Sequence, residues 1–179
     1  MILKIITTTS DITSIISLFF VVFAGIFAYF KWKKNFAFKR SNYLYELIEK
    51  IYNDSDIMDT IYLIEYKDNW YSKDFHDSKI EYNVDKTLSF FSYICYLKKQ
   101  KLIIDKEFNL FKYEIYRILN NKNIKDYLFN LYHFSNSKNQ EITFFYLFEY
   151  GKENKYFNHN FFDNKAYNYD NNYHHYLDF

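Results

Sequence analysis

From Ile12 to Phe30 the chain runs for 19 residues without a charge. As a helix such a run extends roughly 28 Å, close to the thickness of a bilayer's hydrocarbon core. Asp11 is positioned to cap its start and Lys31 ends it abruptly. A secretory signal peptide is the competing reading. It calls for a basic leading segment and a small-residue cleavage site with uncharged flanks. Here only Lys4 is basic ahead of the run, and the basic flank lies downstream. The pattern therefore predicts an uncleaved transmembrane helix over 12–30, preceded by a short extracytoplasmic segment, 1–11.

The flanks set the orientation. Lys31, Lys33, Lys34, Lys39 and Arg40 follow the run with no acidic residue among them. The positive-inside rule places residue 31 onward in the cytoplasm. Trp32 and Tyr29 suit the headgroup zone, and the same cluster favours anionic lipid. A basic, aromatic cluster is also what a nucleic-acid patch looks like. Beside an apolar run, the topological reading is preferred and no specific nucleic-acid partner is expected.

The run is also sorted by size. At 100° per residue, Ser10, Thr13, Ser14, Ser17, Val21, Ala24, Gly25 and Ala28 fall within one arc of about 120°. Ile15, Leu18, Phe19, Val22, Phe23 and Ile26 occupy the other side. Lipid asks for no such sorting. Helix association does, because small residues let backbones approach and hydroxyls bond across the contact. Self-association into a homo-oligomer is the expectation, with chance, or packing on the chain's own domain, as the alternative. A ring of such helices would line a narrow pore with Ser and Thr.

Composition closes off other routes. Two glycines and no proline leave nothing from which to build a Gly-rich phosphate loop. One cysteine excludes an internal disulfide and fits a reducing compartment. A net charge of +1 recruits no acidic partner globally. Aromatics are 25% of the chain, but Lys, Asn, Ile, Tyr and Phe are abundant together while Ala and Arg number four and two. That is the mark of AT-rich codons more than of a stacking surface.

Beyond the run the periodicity is helical. Leu44, Leu47, Ile48 and Ile51 continue the first helix, and Asn53-Asp54-Ser55-Asp56 breaks it and caps the next, with Ile57, Ile61 and Ile64. Residues 67–80 read as a polar loop. Ser78 and Glu81 form a capping box for a helix carrying Val84, Leu88, Phe91 and Cys95, against Asp85, Ser89, Ser92 and Tyr96. Asp105 caps a fourth, with Phe108, Phe111, Ile115, Ile118 and Leu119 inward. A shorter helix with Ile124, Tyr127, Leu128 and Leu131 follows. Residues 142–150 suit helix or strand, ended by Gly151. The expected architecture is all-α: a transmembrane helix continuing into a cytoplasmic helical bundle over 31–151. The tail, 152–179, has no clear period.

No catalytic signature emerges. His174-His175 with Asp170, Asp178 and His159 is the best metal candidate, but a tandem pair is poor ligand geometry and no partner stands at i+4. Asp54, Asp56 and Asp59 echo a calcium loop without its glycine or closing glutamate, so capping is preferred. Cys95 reads as a core residue, and Glu65 with Asp68 as ordinary loop carboxylates. Arg117 and His133 each fall on a polar helix face. No metal, cofactor or catalytic residue is assigned, and a non-enzymatic role is expected.

The segment from Val84 to Asp105, VDKTLSFFSYICYLKKQKLIID, is similar to the central helix, turn and following cap of small single-span bacterial membrane proteins found near phage-defence genes. The whole layout resembles the accessory membrane protein of type VI-B CRISPR systems. That resemblance implies a divergent HEPN-like helical domain and a pore-like assembly. HEPN ribonucleases use an Arg and a His four to six residues apart on one helix, and neither Arg40 nor Arg117 has a histidine at that spacing. No functional residue carries over. The resulting expectation is a self-associating membrane protein acting as a defence effector or accessory that changes membrane permeability. The alternatives are a membrane-tethered scaffold for a cytoplasmic protein partner and a tethered, degenerate HEPN-type ribonuclease.

Overall fold

In the computed structural model, which describes residues 2–163 and 165 (side chains from 13), every regular element is helical. The elements are α1 (Ile2–Asn53), α2 (Ser55–Tyr66), a single 3₁₀ turn (Lys73–Phe75), α3 (Lys79–Lys99), α4 (Asp105–Asn120), α5 (Lys122–Ser137) and α6 (Phe145–Glu153). The all-α expectation holds, and no strand occurs among the described residues. Two units can be distinguished, Met1–Glu49 and Lys50–Phe179.

The first unit is α1 up to Glu49. Nothing in the sequence stops this helix: there is no proline, and its one glycine, Gly25, is a single weak point in a long apolar run. Because the helix already begins at Ile2, Asp11 lies within it and is not its cap. Thr13–Asn53 contains a window long and apolar enough to cross a membrane, with none of that window buried.

The second unit is built around α3. Helix α3 packs against α2, α4 and α6, α2 also meets α4, and α4 packs on α5. Its centrality explains why so much of it is buried: Val84, Leu88, Phe91, Ile94 and Leu97, together with Thr87 and Ser92. Ser92, expected on the polar side, faces inward because α6 covers it; its hydroxyl accepts the Leu147 N–H at 3.4 Å. The amphipathic reading of α4 needs no revision, since its buried residues are Phe108, Phe111, Ile115, Ile118 and Leu119.

Short polar devices end and start these helices. Asp54 caps α2 by accepting the Asp56 N–H at 3.2 Å. Ser78 caps α3 by accepting the Glu81 N–H at 3.1 Å, and Glu81 reaches back to the Asp77 N–H at 2.7 Å, one residue earlier than a standard box. The cap of α4 is displaced from the expected position. Ile104 occupies the N-cap and Asp105 the first turn, while Glu107 accepts the Ile104 N–H at 2.8 Å. The glutamate return thus does the capping that an Ile side chain has no polar atom to do. Asn121 caps α5 through the Ile124 N–H at 3.0 Å and donates to the Ile64 carbonyl at 3.1 Å, tying α5 to the end of α2. Helix α5 has 16 residues, as does α4, so it is not the shorter helix expected.

Three further expectations change. The 67–80 connection is polar on average, yet Trp70, Tyr71 and Phe75 are buried, and Phe75 and Tyr127 meet edge to face at 5.0 Å. The ambiguous 142–150 segment is helical from Phe145, entered through Phe144 in the left-handed region (φ 60°). Gly151 does not end it. The helix runs to Glu153, and Gly151 is buried where a Cβ would stand 2.2 Å from the Phe157 ring. Phe157 and Phe161 stack at 4.2 Å, so the start of the tail packs through aromatics.

Candidate functional site

The most distinctive surface is that of α1. Every side chain from Thr13 to Lys39 is exposed, including Phe19, Phe20, Val21, Phe23, Phe27 and Phe30. Among the residues of the small face, Thr13, Ser14, Ser17, Val21, Ala24, Gly25 and Ala28 are described and Ser10 lies outside the described side chains. The Ser17 hydroxyl donates to the Thr13 carbonyl at 2.8 Å, satisfying itself along the helix. A Cβ built on Gly25 meets nothing within 4 Å. The face is therefore smooth, apolar in effect and open.

At the basic end of the apolar run, three rings line one helix edge at spacings of three and four. Tyr29 and Trp32 lie 6.3 Å apart, and Trp32 stacks on Phe36 at 5.9 Å. Phe36 was not singled out from sequence, although its i+4 relation to Trp32 was the available signal. Lys31, Lys33, Lys34 and Lys39 are exposed around this ladder and Arg40 is half-buried. Such a collar matches the amphipathic tips and flexible cations that settle at a membrane–water boundary.

The polar side chains of the second unit are mostly engaged with one another. Lys86 holds Asp54 and Asp56, each at 2.8 Å, and Lys79 reaches Asp56 at 3.0 Å. The Lys86 hydrogen bonds hold both carboxyls below the usual Asp range, and those same bonds raise the Lys86 ammonium above its ordinary value. The calcium-like aspartates thus serve as a helix cap and an inter-helix clamp between α2 and α3. Deeper in, the Tyr127 hydroxyl donates to Asp85 at 2.6 Å. Burial pushes the Asp85 carboxyl up, against the lowering effect of that bond, and Glu81 nearby adds to the rise. Burial, then the adjacent Asp85 charge, raises the Tyr127 phenol. Asn130 donates to the Tyr71 hydroxyl at 2.7 Å, and His76 pairs with Glu81 at 2.9 Å.

The two residues weighed as degenerate nuclease candidates are engaged structurally. Arg117 pairs with Glu114 at 3.0 Å and with Glu65, bridging α4 to α2. It is largely covered, so its face is less polar than its helical position implied. His133 is buried, not on a polar face, and its Nε2 lies 2.9 Å from the Phe161 carbonyl. Sequence reasoning missed this because the covering residue comes from the tail, which shows no period. Cys95 is buried as expected, and burial pushes its thiol up to about 12, away from reactivity at neutral pH. No group of three or more His, Cys, Asp or Glu able to hold a metal occurs among the described residues. His159 is exposed; His174, His175, Asp170 and Asp178 lie outside the described residues.

No family model, no curated protein and no solved structure matches the chain.

Proposed function

We propose that this chain is a non-enzymatic, single-span membrane protein that self-associates through the small face of α1. Its second unit lies on the cytoplasmic side of a bacterial inner membrane, and the assembly acts by altering membrane permeability, in the manner of a phage-defence effector or accessory. The observation that carries the reading is the open, smooth face from Thr13 to Ala28, with nothing within 4 Å of a Cβ at Gly25. In lipid, an apolar helix gains nothing from burying large side chains, so close backbone approach along a small face is what drives association. The basic collar supports the orientation, and the layout's resemblance to defence-associated membrane proteins supports the role.

A second reading, a membrane-tethered scaffold for a cytoplasmic protein partner, draws on one feature of α4. Leu110, Tyr113 and Tyr116 are exposed along it, an outward row with no place in the core. The third reading, a degenerate ribonuclease, has less behind it, since Arg117 and His133 have the structural partners described above.

Crosslinking in native membranes separates the first two. The parent crosslinks as oligomers. Gly25→Leu and Ala28→Leu lose those bands, while Ile15→Leu and Phe23→Leu on the bulky side keep them. None of the four adds a polar group, so all insert. Dye entry on expression of the parent, absent for Gly25→Leu, ties permeability to assembly. A monomeric parent, or a Gly25→Leu chain that assembles like it, removes the oligomer and the pore and leaves the scaffold. A C-terminal reporter active outside the cytoplasm reverses the orientation.

A further inference from the structure

Two contacts fix a direction within the second unit. Lys50 stands over the Phe90 ring, 5.7 Å from its centroid, and Asp54 pairs with Lys86 at 2.8 Å. Asp54 still belongs to the last turn of α1, since its N–H bonds the Lys50 carbonyl at 3.1 Å. A step forward from Lys50 to Asp54 thus matches a step back from Phe90 to Lys86, and α3 runs antiparallel to that turn. The C-terminal end of α3 therefore lies on the side from which the chain enters the unit. Counted at about 1.5 Å per residue, the stretch from Phe90 to Gln100 carries it roughly 15 Å that way. In the reading proposed above, on which this inference rests, that is the side of the membrane.

At that end stands the α3–α4 turn, and its backbone holds apolar side chains outward. The Leu102 N–H bonds the Leu97 carbonyl at 2.9 Å and closes α3, while the Ile104 carbonyl accepts the Phe108 N–H at 2.9 Å and opens α4. Ile103 between them is buried, which leaves Leu102 and Ile104 55% and 45% exposed on a turn tied at both sides. In a turn that faces only water, polar residues are the rule. Basic charge surrounds the pair. Residues 98–106 carry four lysines and one acidic residue, Asp105. Lys98 meets Asp105 at 3.7 Å and Lys99 meets Glu149 at 2.5 Å, while Glu107 is turned back to the Ile104 N–H. Lys101 and Lys106 are exposed and hold no carboxylate among the described residues. Aliphatic tips beside such lysines suit the boundary between the headgroups and acyl chains of an anionic bilayer. So small a contact would hold a free domain weakly, but a tether makes the step intramolecular and a weak contact is then enough. We propose that the α3–α4 turn is a second membrane contact: Leu102 and Ile104 enter the headgroup boundary, and Lys101 and Lys106 meet the phosphates of anionic lipid.

The test uses the full chain in nanodiscs of phosphatidylcholine with phosphatidylglycerol. A polarity-sensitive fluorophore is attached through Leu102→Cys, through Phe23→Cys in the span, or through Lys73→Cys ahead of the opposite end of α3. Cys95 is buried and stays unlabelled. Nitroxide-bearing lipids quench the labels at 23 and 102 and spare the label at 73. Lys101→Ala and Lys106→Ala each lower the ratio of docked to undocked label at 102 by about fivefold, and removing phosphatidylglycerol lowers it further than either. Ile104→Ser also lowers it and leaves the melt unchanged, since that side chain is outside the core. A label at 102 as bright as that at 73, with the label at 23 quenched, overturns the contact and leaves the span in place. Bright labels at all three positions overturn the membrane reading together with the contact. A blue shift at 102 without lipid quenching means that a protein surface covers the turn, and overturns the contact too. So does quenching at 102 that neither lipid charge nor the lysine variants move.

Discussion

The chain's two glycines stand in opposite environments and mark the difference between its two units. Gly25, in α1, has open space where a side chain would be; Gly151, in α6, has the Phe157 ring pressed into that place. The same contrast runs through the larger residues. Phe19, Phe20, Phe23 and Phe27 are exposed along α1, whereas Phe75, Phe91, Phe108, Phe111, Phe129 and Phe161 are fully covered in the second unit. Apolar side chains behave alike in both. What differs is the cover: the apolar run of α1 is exposed, whereas neighbouring helices cover α3. A row of exposed phenylalanines on a helix long and apolar enough to cross a membrane fits an apolar surrounding.

The sharpest way to break that contrast is to place one charge in each unit. Phe111→Asp puts an unpaired carboxyl in a fully buried position, a cost of several kcal/mol against a typical domain stability of about 5–15 kcal/mol. Thermal melting in detergent should show the second unit without a cooperative transition. Phe23→Asp should leave that transition in place and instead impair membrane insertion by about 2.5–3.5 kcal/mol. Equal loss of the transition in both variants contradicts the division of labour.

The glycines give the next largest effect. Gly151→Ala forces the Phe157 ring aside and should destabilise the second unit by about 1–3 kcal/mol, the usual range for overpacking. Gly25→Ala, with nothing in its way, should not move the same melt. If Gly151→Ala is neutral, the ring is free to yield and the packing of the tail's first aromatics is looser than described.

Ion pairs sharpen the comparison within the second unit. Arg117→Ala removes the bridge from α4 to Glu65 on α2 and the pair with Glu114, and should cost about 1 kcal/mol once solvent screening at Glu65 is allowed for. Glu65→Gln should lose part of the same amount, and the double variant less than the sum. Strict additivity sets the pair's contribution at zero.

The smallest effect is a pH dependence of two signs. The Asp85 carboxyl is raised by burial, so the native state holds its proton to a higher pH than the unfolded chain does. Stability from this group is full below the ordinary Asp value and falls as pH rises through the folded one. Asp85→Asn, which keeps an acceptor for Tyr127, should therefore melt above the parent at neutral pH, with the gap closing on acidification. Asp54 and Asp56, held low by Lys86, act the other way: their contribution is present above the ordinary Asp value and is lost as pH falls. Lys86→Met should flatten the acid limb. A gap for Asp85→Asn that widens towards acid pH would reverse the sign assigned to that site.

Much of this molecule was legible before any fold was known. An uncharged run of 19 residues closed by lysines has few physical meanings, and a helix satisfies its backbone groups within the segment. Helix α4 was equally plain, because one side of it is wet and the period of its apolar residues survives intact. Helix α3 was only half legible. Surrounded by α2, α4 and α6, it buries Ser92, Thr87 and Asn83 beside its leucines and phenylalanines, and a helix covered on several sides has no clean stripe to read.

What the sequence by itself determined is the class of each segment: an apolar helix, its basic collar, the caps at Asp54 and Ser78, and the periodic faces of α2 and α4. These follow from local chemistry, where a residue's neighbours along the chain carry the information. Only the tertiary structure decided that Gly151 is a contact and not a stop, that Phe75 fills the core from within a polar loop, and that tail residue Phe161 buries His133. It also decided that the Asn83 amide oxygen is buried without a hydrogen-bond partner. Each of those outcomes depends on which distant segment arrives to cover a residue. A covering partner far along the chain leaves no mark on the local pattern.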